Sequence, residues 1–409
     1  MTGHALVYWV FAGVYLGMLL GRYPRLGLDR SGIALLGAIV LLASGTTDLD
    51  GAVAAVDWAT ISVLFALMVV SAQLRLGGFY TRVSAAVATR PWPPAGLLAA
   101  LVAVTGGLSA VFTNDIVCLA VSPVVILACR RRGLDPLPYL LGVACAANVG
   151  SAATLIGNPQ NILVGERLGL DFGAYLGLAL PPVLAGLAVT WAVLAWQYRG
   201  RWHAVAPTAA DPAEALPAWD GWQSGKGLAV TTALFLAFLL LDWPRHAVAL
   251  AAAGILLTSR RLHSRQTLGL VDWQLLVLFV GLFVVNAALQ ATGLPERAVA
   301  GAAGAGIDLA QPGWLFAATL LLSNLVSNVP AVMLLLPLAE GGGLGGPLLA
   351  LASTLAGNLL LVGSIANLIV ADAAARHGVR LGWAEHARSG VPVTLLTLAL
   401  AAGWLGLLG

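Results

Sequence analysis

Four short segments of the sequence carry polar or helix-breaking residues inside apolar stretches: 112–115, 148–161, 326–330 and 357–367. A bilayer interior offers no water, so irregular backbone there must be buried in protein or line a cavity. Each segment predicts one helix that ends and another that begins. A helix start presents free N–H groups and partial positive charge, which suit an anion. Carbonyl, hydroxyl and amide oxygens suit a desolvated cation such as sodium.

These segments supply two sets of candidate site residues. For substrate binding we expect Thr113, Asn114, Asn158, Asn161, Ser327, Asn328, Ser364 and Asn367. For the coupling ion, a proton or sodium, we expect Asp115, Asn148, Ser151, Gly157, Asn358 and Gly363. Thr, Ser and Asn are residue types that cap helix starts, so Thr113, Asn158, Ser327 and Ser364 are expected to cap the helices that follow them. Tight helix packing is the alternative explanation for small polar residues, and it applies equally well to Ser151.

Asp115 is the single acidic residue of the apolar run 94–129. A carboxylate inside a membrane is unfavourable and marks a proton or cation site by default, so we expect Asp115 to bind the coupling proton. The alternative is a carboxylate that only caps the adjacent helix start. None of the six histidines lies in the four segments, which argues against a histidine proton relay or a metal centre.

Other chemistry is not indicated. The sequence carries no H-E-x-x-H, no G-x-S-x-G and no phosphate-binding loop, so it predicts neither an enzyme nor a chain that uses ATP itself. A separate ATPase partner stays open. Cys118, Cys129 and Cys145 lie in apolar stretches without the spacing of metal ligands. We therefore expect no cofactor, and no metal apart from sodium as a coupling ion.

The elements that must position these residues are membrane helices. Of the 409 residues, 59% are hydrophobic and 10% are charged, against roughly 25% charged in soluble domains. So few charges exclude a soluble enzyme, a nucleic-acid binder and a disordered scaffold. Twelve apolar runs, at about 20 residues for each membrane helix, predict an all-α polytopic protein of the plasma (inner) membrane.

Basic residues decide the sidedness of these runs, because lysine and arginine favour cytoplasmic loops. If 94–129 and 311–339 each enter and leave on the same face, 18 of the 21 basic residues lie inside. Arg167, Arg245 and Arg297 then lie outside. Ten spans and two re-entrant hairpins satisfy this distribution and place both termini outside the cytoplasm.

The two halves of the chain resemble each other in order and spacing. Val-Asp-Trp at 56–58 recurs at 271–273, Thr113-Asn114 recurs as Ser327-Asn328, and Asn161 recurs as Asn367. Each half is expected to cross the membrane five times, so the repeats are inverted, as in many secondary transporters, with broken helices at the membrane midplane. We expect a first repeat at 1–196 (hairpin about 94–129, broken helix about 138–166), a cytoplasmic linker at 197–225, and a second repeat at 226–409 (hairpin about 311–339, broken helix about 347–373).

At these motifs the chain resembles the ion transporter superfamily. FTNDIVCLAVSPVVI and SNLVSNVPAVMLLLP are similar to the hairpins of arsenite/antimonite efflux permeases, and GSAATLIGNPQNILVG is similar to divalent-anion/sodium symporters and citrate-type permeases. Those symporters carry Ser-Asn-Thr at both hairpin tips, whereas here the third residues are Asp115 and Val329. The resemblance implies a homodimer whose hairpins and broken helices move as an elevator against a scaffold. It also implies a site ringed by Asn114, Gly157, Asn161, Asn328, Gly363 and Asn367.

The function expected from these features is secondary active transport of a small anion or oxyanion, arsenite-type or di- or tricarboxylate-type, driven by a proton or sodium gradient. No lysine or arginine lies in the four segments, and Asp115 lies in the first of them. These two facts favour a neutral or weakly charged species such as the hydroxide form of arsenite. A sodium/proton antiporter and a passive anion channel are the alternatives. A channel would need a continuous polar lining, which the clustered polar residues do not supply.

Overall fold

The computed structural model describes residues 3–21, 23, 26–203 and 219–408. Within these ranges twenty α-helices follow one another, and the expectation of an all-α chain is confirmed for them. The first ten helices are α1 (Gly3–Leu20), α2 (Arg30–Ala43), α3 (Leu49–Ala55), α4 (Trp58–Leu76), α5 (Phe79–Ala88), α6 (Pro94–Val111), α7 (Asn114–Arg131), α8 (Leu137–Ser151), α9 (Pro159–Arg167) and α10 (Phe172–Gln197).

The second ten helices are accompanied by two short 3₁₀ turns. They are α11 (Gly221–Leu240), α12 (Arg245–Leu257), α13 (Ser264–Leu268), α14 (Trp273–Gln290), α15 (Leu294–Gly304), α16 (Pro312–Val326), α17 (Asn328–Leu335), α18 (Gly345–Ala356), α19 (Ile365–Arg376) and α20 (Trp383–Leu408). The 3₁₀ turns are Leu336–Ala339 after α17 and Leu361–Gly363 before α19.

Length and composition mark six of these helices as candidate membrane spans: α4, α6, α10, α11, α14 and α20. Seven further apolar segments of 10–17 residues are shorter than a full crossing. Both arms of the first predicted hairpin, α6 and α7, have 18 residues, which is about 27 Å of helix at 1.5 Å per residue. That this hairpin enters and leaves the membrane on the same face stays a prediction.

The apolar runs of the sequence all coincide with helices, but four helices lie outside those runs. The missed helices are α3, α5, α13 and α15. They have 5–11 residues, and α15 buries none of its side chains. A search for long apolar runs cannot detect such helices, because they are too short to cross a membrane.

Aspartates begin several helices. Asp57 accepts a hydrogen bond from the Thr60 N–H at 2.8 Å, and Asp272 accepts one from the Leu275 N–H at 3.0 Å. Such a cap stabilises a helix start by about 1 kcal/mol. Asp57 and Asp272 are therefore helix-start carboxylates.

Glycine allows the closest helix contacts. A Cβ atom added at Gly150 of α8 would meet the backbone of Gly106 in α6, and one added at Gly281 of α14 would lie 2.6 Å from the carbonyl carbon of Ala34 in α2. Backbone therefore packs against backbone in both pairs. The helix pairs α4–α12 and α10–α20 also pack along each other.

The three cysteines lie inside this packing. Cys118, Cys129 and Cys145 are all buried and all carry free thiols. Of the expected linker at 197–225, residues 204–218 lie outside the described residues. Residue 197 is the last of α10, and residues 221–225 form the start of α11.

Helix ends fall in all four segments that the sequence marks. α6 ends and α7 begins around Phe112 and Thr113, and α8 and α9 are separated by 152–158. α16 and α17 meet at Ser327, and α18 and α19 are separated by 357–364. We call 152–158 the first break and 357–364 the second break.

Candidate substrate and ion site

Asn148, near the end of α8, connects the two halves of the chain. Its Nδ2 donates to Asn358 Oδ1 at 2.8 Å and to Asn367 Oδ1 at 3.0 Å. Its Oδ1 accepts from Asn114 Nδ2 at 3.1 Å and from Ser364 Oγ at 2.8 Å. All five side chains are buried. One amide thus joins the first hairpin to the second break and to the start of α19.

A second group of hydrogen bonds surrounds Thr354 of α18. Asn158 Nδ2 donates to Thr354 Oγ1 at 3.1 Å, Gln160 Nε2 donates to the same oxygen at 3.2 Å, and Thr354 Oγ1 donates to Asn161 Oδ1 at 3.0 Å. Asn158 Nδ2 also donates to Ser151 Oγ at 3.0 Å. The second half therefore contacts the residues at the first break.

The two groups are related by a constant offset. Thr354 lies 206 residues after Asn148, as Ser364 does after Asn158 and Asn367 after Asn161. Asn148 contacts Ser364 and Asn367, while Thr354 contacts Asn158 and Asn161. Each half supplies a side chain that bonds to the opposite half at equivalent positions. We call the bonded side chains of both groups the polar network.

The tip of the first hairpin is joined to the first break through backbone. The Asn114 N–H donates to the Gly157 carbonyl at 3.1 Å. A Cβ atom at Gly157 would lie 2.7 Å from the Ser151 Cα and 2.8 Å from the Ser109 carbonyl oxygen, so a side chain at this position would collide with backbone. Asp115 is half-buried, and within the described chain no basic group lies within salt-bridge distance of it.

The tip of the second hairpin is built differently. Ser327 is the one non-glycine residue of the described chain with a left-handed φ, at 79° with ψ at 158°. Asn328 Oδ1 and Asn324 Oδ1 are buried and accept no hydrogen bond. A Cβ atom added at Gly363 would lie 3.0 Å from Asn324 Oδ1. This tip therefore holds two acceptor oxygens without donors.

Helix capping at the four segments follows the prediction at two positions and contradicts it at the other two. Asn158 Oδ1 accepts from the Asn161 N–H at 2.9 Å, and Ser364 Oγ accepts from the Ala366 N–H at 3.2 Å. Thr113 and Ser327 precede α7 and α17, but neither side chain makes a cap hydrogen bond. At the first tip, Asn114 Oδ1 accepts from the Asp115 N–H instead, and at the second tip the unusual φ of Ser327 sets the turn.

Most of the predicted site residues therefore come together in the fold. The polar network includes Asn114, Asn148, Ser151, Asn158, Asn161, Asn358, Ser364 and Asn367. Gly157 and Asp115 contact it only through backbone. The remaining predicted residues, Thr113, Ser327, Asn328 and Gly363, lie at the tips or the second break and make no side-chain bond to the network.

Sequence reasoning missed four polar residues that contact these segments: Gln160, Thr354, Tyr175 and His386. The 206-residue offset to Asn148 could have identified Thr354, whereas Tyr175 and His386 lie on later helices. None of the six histidines lies in the four segments, but one of them contacts the second break in the fold. His386 is fully buried, and its Nε2 lies 3.0 Å from the Asn358 carbonyl oxygen in the second break.

Acidic residues just past the two breaks have different surroundings. Glu166 at the end of α9 lies 2.7 Å from Arg245 Nε, with its side chain 9% exposed. Arg245 also donates to the carbonyls of Gly165 and Leu170, at 2.6 and 2.9 Å. Asp372 forms an exposed pair with Arg376 at 2.8 Å on the same helix. Asp372 is therefore an exposed charge, whereas the Glu166 carboxylate lies in a buried ion pair.

Two clefts open at the edges of this region. One, of about 450 Å³, is lined by Arg30 and Asp272 and reaches Val362 and Ile365 at the second break. The other, of about 330 Å³, is lined by Asn286, Glu296 and Glu340 and reaches Met333 in α17. Of the helices that carry the polar network, α19 lines the first cleft and α9 lines the second.

Comparison with known proteins identifies the family. Residues 6–356 match the model of a family described as citrate transporter. This chain belongs to that family. An uncharacterized transporter, MT2759, of Mycobacterium tuberculosis (strain CDC 1551) is 30% identical over 403 residues, covering 93% of this chain and 94% of that protein. The silicon efflux transporter LSI3 of Oryza sativa subsp. japonica is 29% identical over 483 residues, covering 98% and 96%.

A solved structure has the same fold. The YdaH transporter of Alcanivorax borkumensis aligns with a TM-score of 0.56 at 16% sequence identity, covering 100% of this chain and 98% of that one. The family match and the curated relatives confirm the resemblance to the ion transporter superfamily. The family and its members are transporters rather than enzymes, and the chain is an integral membrane protein.

Proposed function

We propose that this protein is a secondary active transporter that exports a small, uncharged or weakly acidic oxyacid in exchange for a cation. Arsenous acid and silicic acid represent the substrate class. The observation that carries the proposal is the polar network itself. It joins both halves and is built from neutral amide and hydroxyl groups without lysine or arginine.

The unpaired oxygens at the second tip favour a substrate that donates hydrogen bonds. Asn324 Oδ1 and Asn328 Oδ1 are buried acceptors without donors, and a buried polar group without a partner costs about 1–3 kcal/mol. The hydroxyl groups of an oxyacid would supply the missing donors. A carboxylate would bring more acceptors to the same place and no positive charge would meet it there.

The coupling cation is proposed to be a proton carried by Asp115. This carboxyl is half-buried at the first tip, next to Asn114 of the network, and no basic group pairs with it in the described chain. A neutral substrate can share a pocket with a carboxylate without repulsion. Sodium bound by the unpaired amide oxygens is the competing form of coupling, and the transport assay below separates the two.

The architecture proposed for this function has two inverted repeats, 1–196 and 226–409. Their hairpins and broken helices would move against a scaffold containing α2, α4, α12 and α14. The reciprocal contacts of Asn148 and Thr354 support a twofold relation between the repeats. Clefts that reach α17 and the second break support access from two sides. The distribution of basic residues supports an extracytoplasmic position for both termini.

A homodimer is proposed with this architecture. Large apolar side chains on α2 and α12 face outward, among them Leu36, Ile39 and Ile255, which are 46, 49 and 54% exposed. Either lipid or a second copy could cover them. The mass of the protein in lipid nanodiscs, measured against a monomeric membrane protein of similar size, distinguishes the two.

Transport by purified protein in proteoliposomes tests the function. We expect arsenite or silicic acid to accumulate against its gradient when a pH gradient is imposed, with no requirement for sodium. Equilibration without accumulation would indicate a channel, and sodium/proton exchange without added solute would indicate an antiporter. Accumulation that requires sodium would indicate that the coupling ion is sodium bound by the amide oxygens, and not a proton on Asp115.

A di- or tricarboxylate taken up with a cation is the second candidate, because the matching family is described as citrate transporter. Citrate and succinate belong in the same assay. Accumulation of citrate but not of arsenite or silicic acid would replace the first proposal with this one.

A further inference from the structure

A buried tyrosine contacts the first break. Tyr175 is the fourth residue of α10, its side chain is 2% exposed, and its hydroxyl donates to the Ala152 carbonyl at 2.9 Å. Ala152 directly follows α8 and caps its C-terminal end. The last carbonyls of a helix have no partner within the helix, and lipid offers them none. Tyr175 supplies a donor for one of them.

A buried histidine contacts the second break in the same way. His386 is the fourth residue of α20, is fully buried, and its Nε2 lies 3.0 Å from the Asn358 carbonyl oxygen. Asn358 lies 206 residues after Ala152, the offset that relates the polar network of the two halves. Both contacts therefore involve the first turn of the next long helix, an aromatic donor, and equivalent carbonyls.

We propose that Tyr175 and His386 are paired positioning residues, each of which fixes the unwound carbonyl at one break and thereby the binding geometry of the site. The inference rests on the proposed function, since that function makes the breaks the binding region. A carbonyl only accepts hydrogen bonds, so the imidazole of His386 carries its proton on Nε2. Its Nδ1 is then an acceptor, and it has no partner in the described chain.

The position of Asn358 matters because its side chain belongs to the polar network. Asn358 Oδ1 accepts from Asn148 Nδ2 at 2.8 Å, and Asn358 Nδ2 donates to the Cys145 carbonyl at 3.3 Å. Removing the imidazole donor frees the Asn358 backbone to turn, and its side chain turns with it. The first break is more strongly held, because Asn161 Nδ2 also donates to the Tyr175 hydroxyl at 3.3 Å.

Gly390 makes room for the histidine contact. It lies one turn after His386 in α20, and a Cβ atom at this position would lie 2.8 Å from His386 Nε2 and collide with the Asn358 carbonyl. A methyl group there would push the donor and the acceptor apart. Gly390→Ala should therefore reproduce the loss of the imidazole donor although His386 is still present.

Transport kinetics in proteoliposomes test the proposal. His386→Phe keeps an aromatic ring but removes the donor, and we expect its KM to rise about tenfold, which corresponds to one lost buried hydrogen bond. His386→Gln keeps an Nε2 donor at similar reach and should return KM to within about threefold of wild type. His263→Gln is the control and should not change KM, because His263 is an exposed residue directly before α13.

The results that would overturn the proposal are a wild-type KM for His386→Phe or equal defects in His386→Phe and His386→Gln. Should His386→Phe fail to fold, side-chain ¹⁵N NMR of the wild-type protein still decides. A proton on Nδ1 of His386 contradicts the proposal, and a proton on Nε2 supports it. Absence of transport in the wild type, with the Nε2 tautomer present, would count against the proposed function and not against the histidine contact.

Discussion

At the scale of single residues, the amide of Asn148 uses its donors and its acceptor at the same time. It donates to two asparagine oxygens and accepts from a third asparagine and from a serine. Glutamine is the other side chain that carries this amide group, and it places the group one methylene farther from the backbone. The second half of the network relies instead on the single hydroxyl of Thr354.

Replacing Asn148 with alanine should therefore be costly. Asn148→Ala leaves several buried polar groups without partners, each costing about 1–3 kcal/mol. We expect a loss of about 3 kcal/mol or more in stability and no measurable transport. Thermal unfolding in detergent and proteoliposome uptake measure these effects. The control is Gln73→Ala, which removes a buried hydrogen bond of 2.7 Å between Gln73 and Gln223. Neither residue lies in a break, so this variant should keep the wild-type KM. An equal loss of transport in the control would contradict the placement of Asn148 in the binding site.

Asp115 provides a second prediction at this scale. Asp115→Asn keeps the shape of the side chain but removes the ionisable carboxyl, so we expect normal protein levels and no accumulation driven by a pH gradient. Exchange of substrate down its own gradient should continue, because the polar network is unchanged. The measurement compares pH-driven accumulation with counterflow in the same vesicles. Undiminished pH-driven accumulation would remove Asp115 from the coupling mechanism.

At the scale of elements, the two hairpin turns differ in backbone strain. Ser327 has φ 79° and ψ 158°, a region that favours glycine, whereas Thr113 has φ −59° and ψ 129°, which any residue adopts. Strain of this kind costs about 1–3 kcal/mol and often lies at functional sites. The second turn thus stores energy that the first does not.

Glycine substitutions at the two turns should therefore have opposite effects. Ser327→Gly relieves the strain, and we expect stabilisation by about 1 kcal/mol. Thr113→Gly adds flexibility to an unstrained turn, and we expect destabilisation by about 0.5–1 kcal/mol. Differential scanning calorimetry of both variants in one detergent measures the difference. A lower melting temperature for Ser327→Gly than for wild type would show that the turn is not strained.

The sequence predicts elements better than it predicts contacts between them. Helix ends at 112–115 and 357–367 could be predicted because Asn, Ser and Gly stand out in apolar surroundings. The contacts of Tyr175 and His386 could not, since each depends on how a later helix packs against a break. The short helix α15 was missed because it buries nothing. Cap positions at Thr113 and Ser327 were predicted from residue type, but backbone geometry decided them.

At the scale of the whole molecule, a buried ion pair joins helices from the two halves. Arg245 at the start of α12 binds Glu166 and the carbonyls of Gly165 and Leu170. Arg167 lies 3.6 Å from Asp57 at the start of α4. If α9 moves against α4 and α12 as proposed, these bonds must break in each transport cycle.

Replacing one residue of the Glu166–Arg245 ion pair should lower the stability of the protein more than replacing both. Arg245→Met removes the guanidinium from the buried Glu166 carboxylate and leaves it with His246 Nδ1 at 4.0 Å, and we expect a loss of about 3 kcal/mol in stability. The double variant Glu166→Gln with Arg245→Met should recover part of that loss. A double-mutant cycle on unfolding free energies measures the coupling. Additive effects would show that the pair does not hold α9 to α12 in the dominant conformation.

The burial of Cys118, Cys129 and Cys145 has a practical benefit for spectroscopy. Thiol-reactive dyes and spin labels added to the intact wild-type protein should find no accessible native sulfur. Reporter cysteines introduced at Glu296 and Glu340, which line the same cleft, can then be labelled without a cysteine-free background. The distance between the two labels, measured by electron paramagnetic resonance or by fluorescence energy transfer, would then report whether that cleft opens and closes during transport.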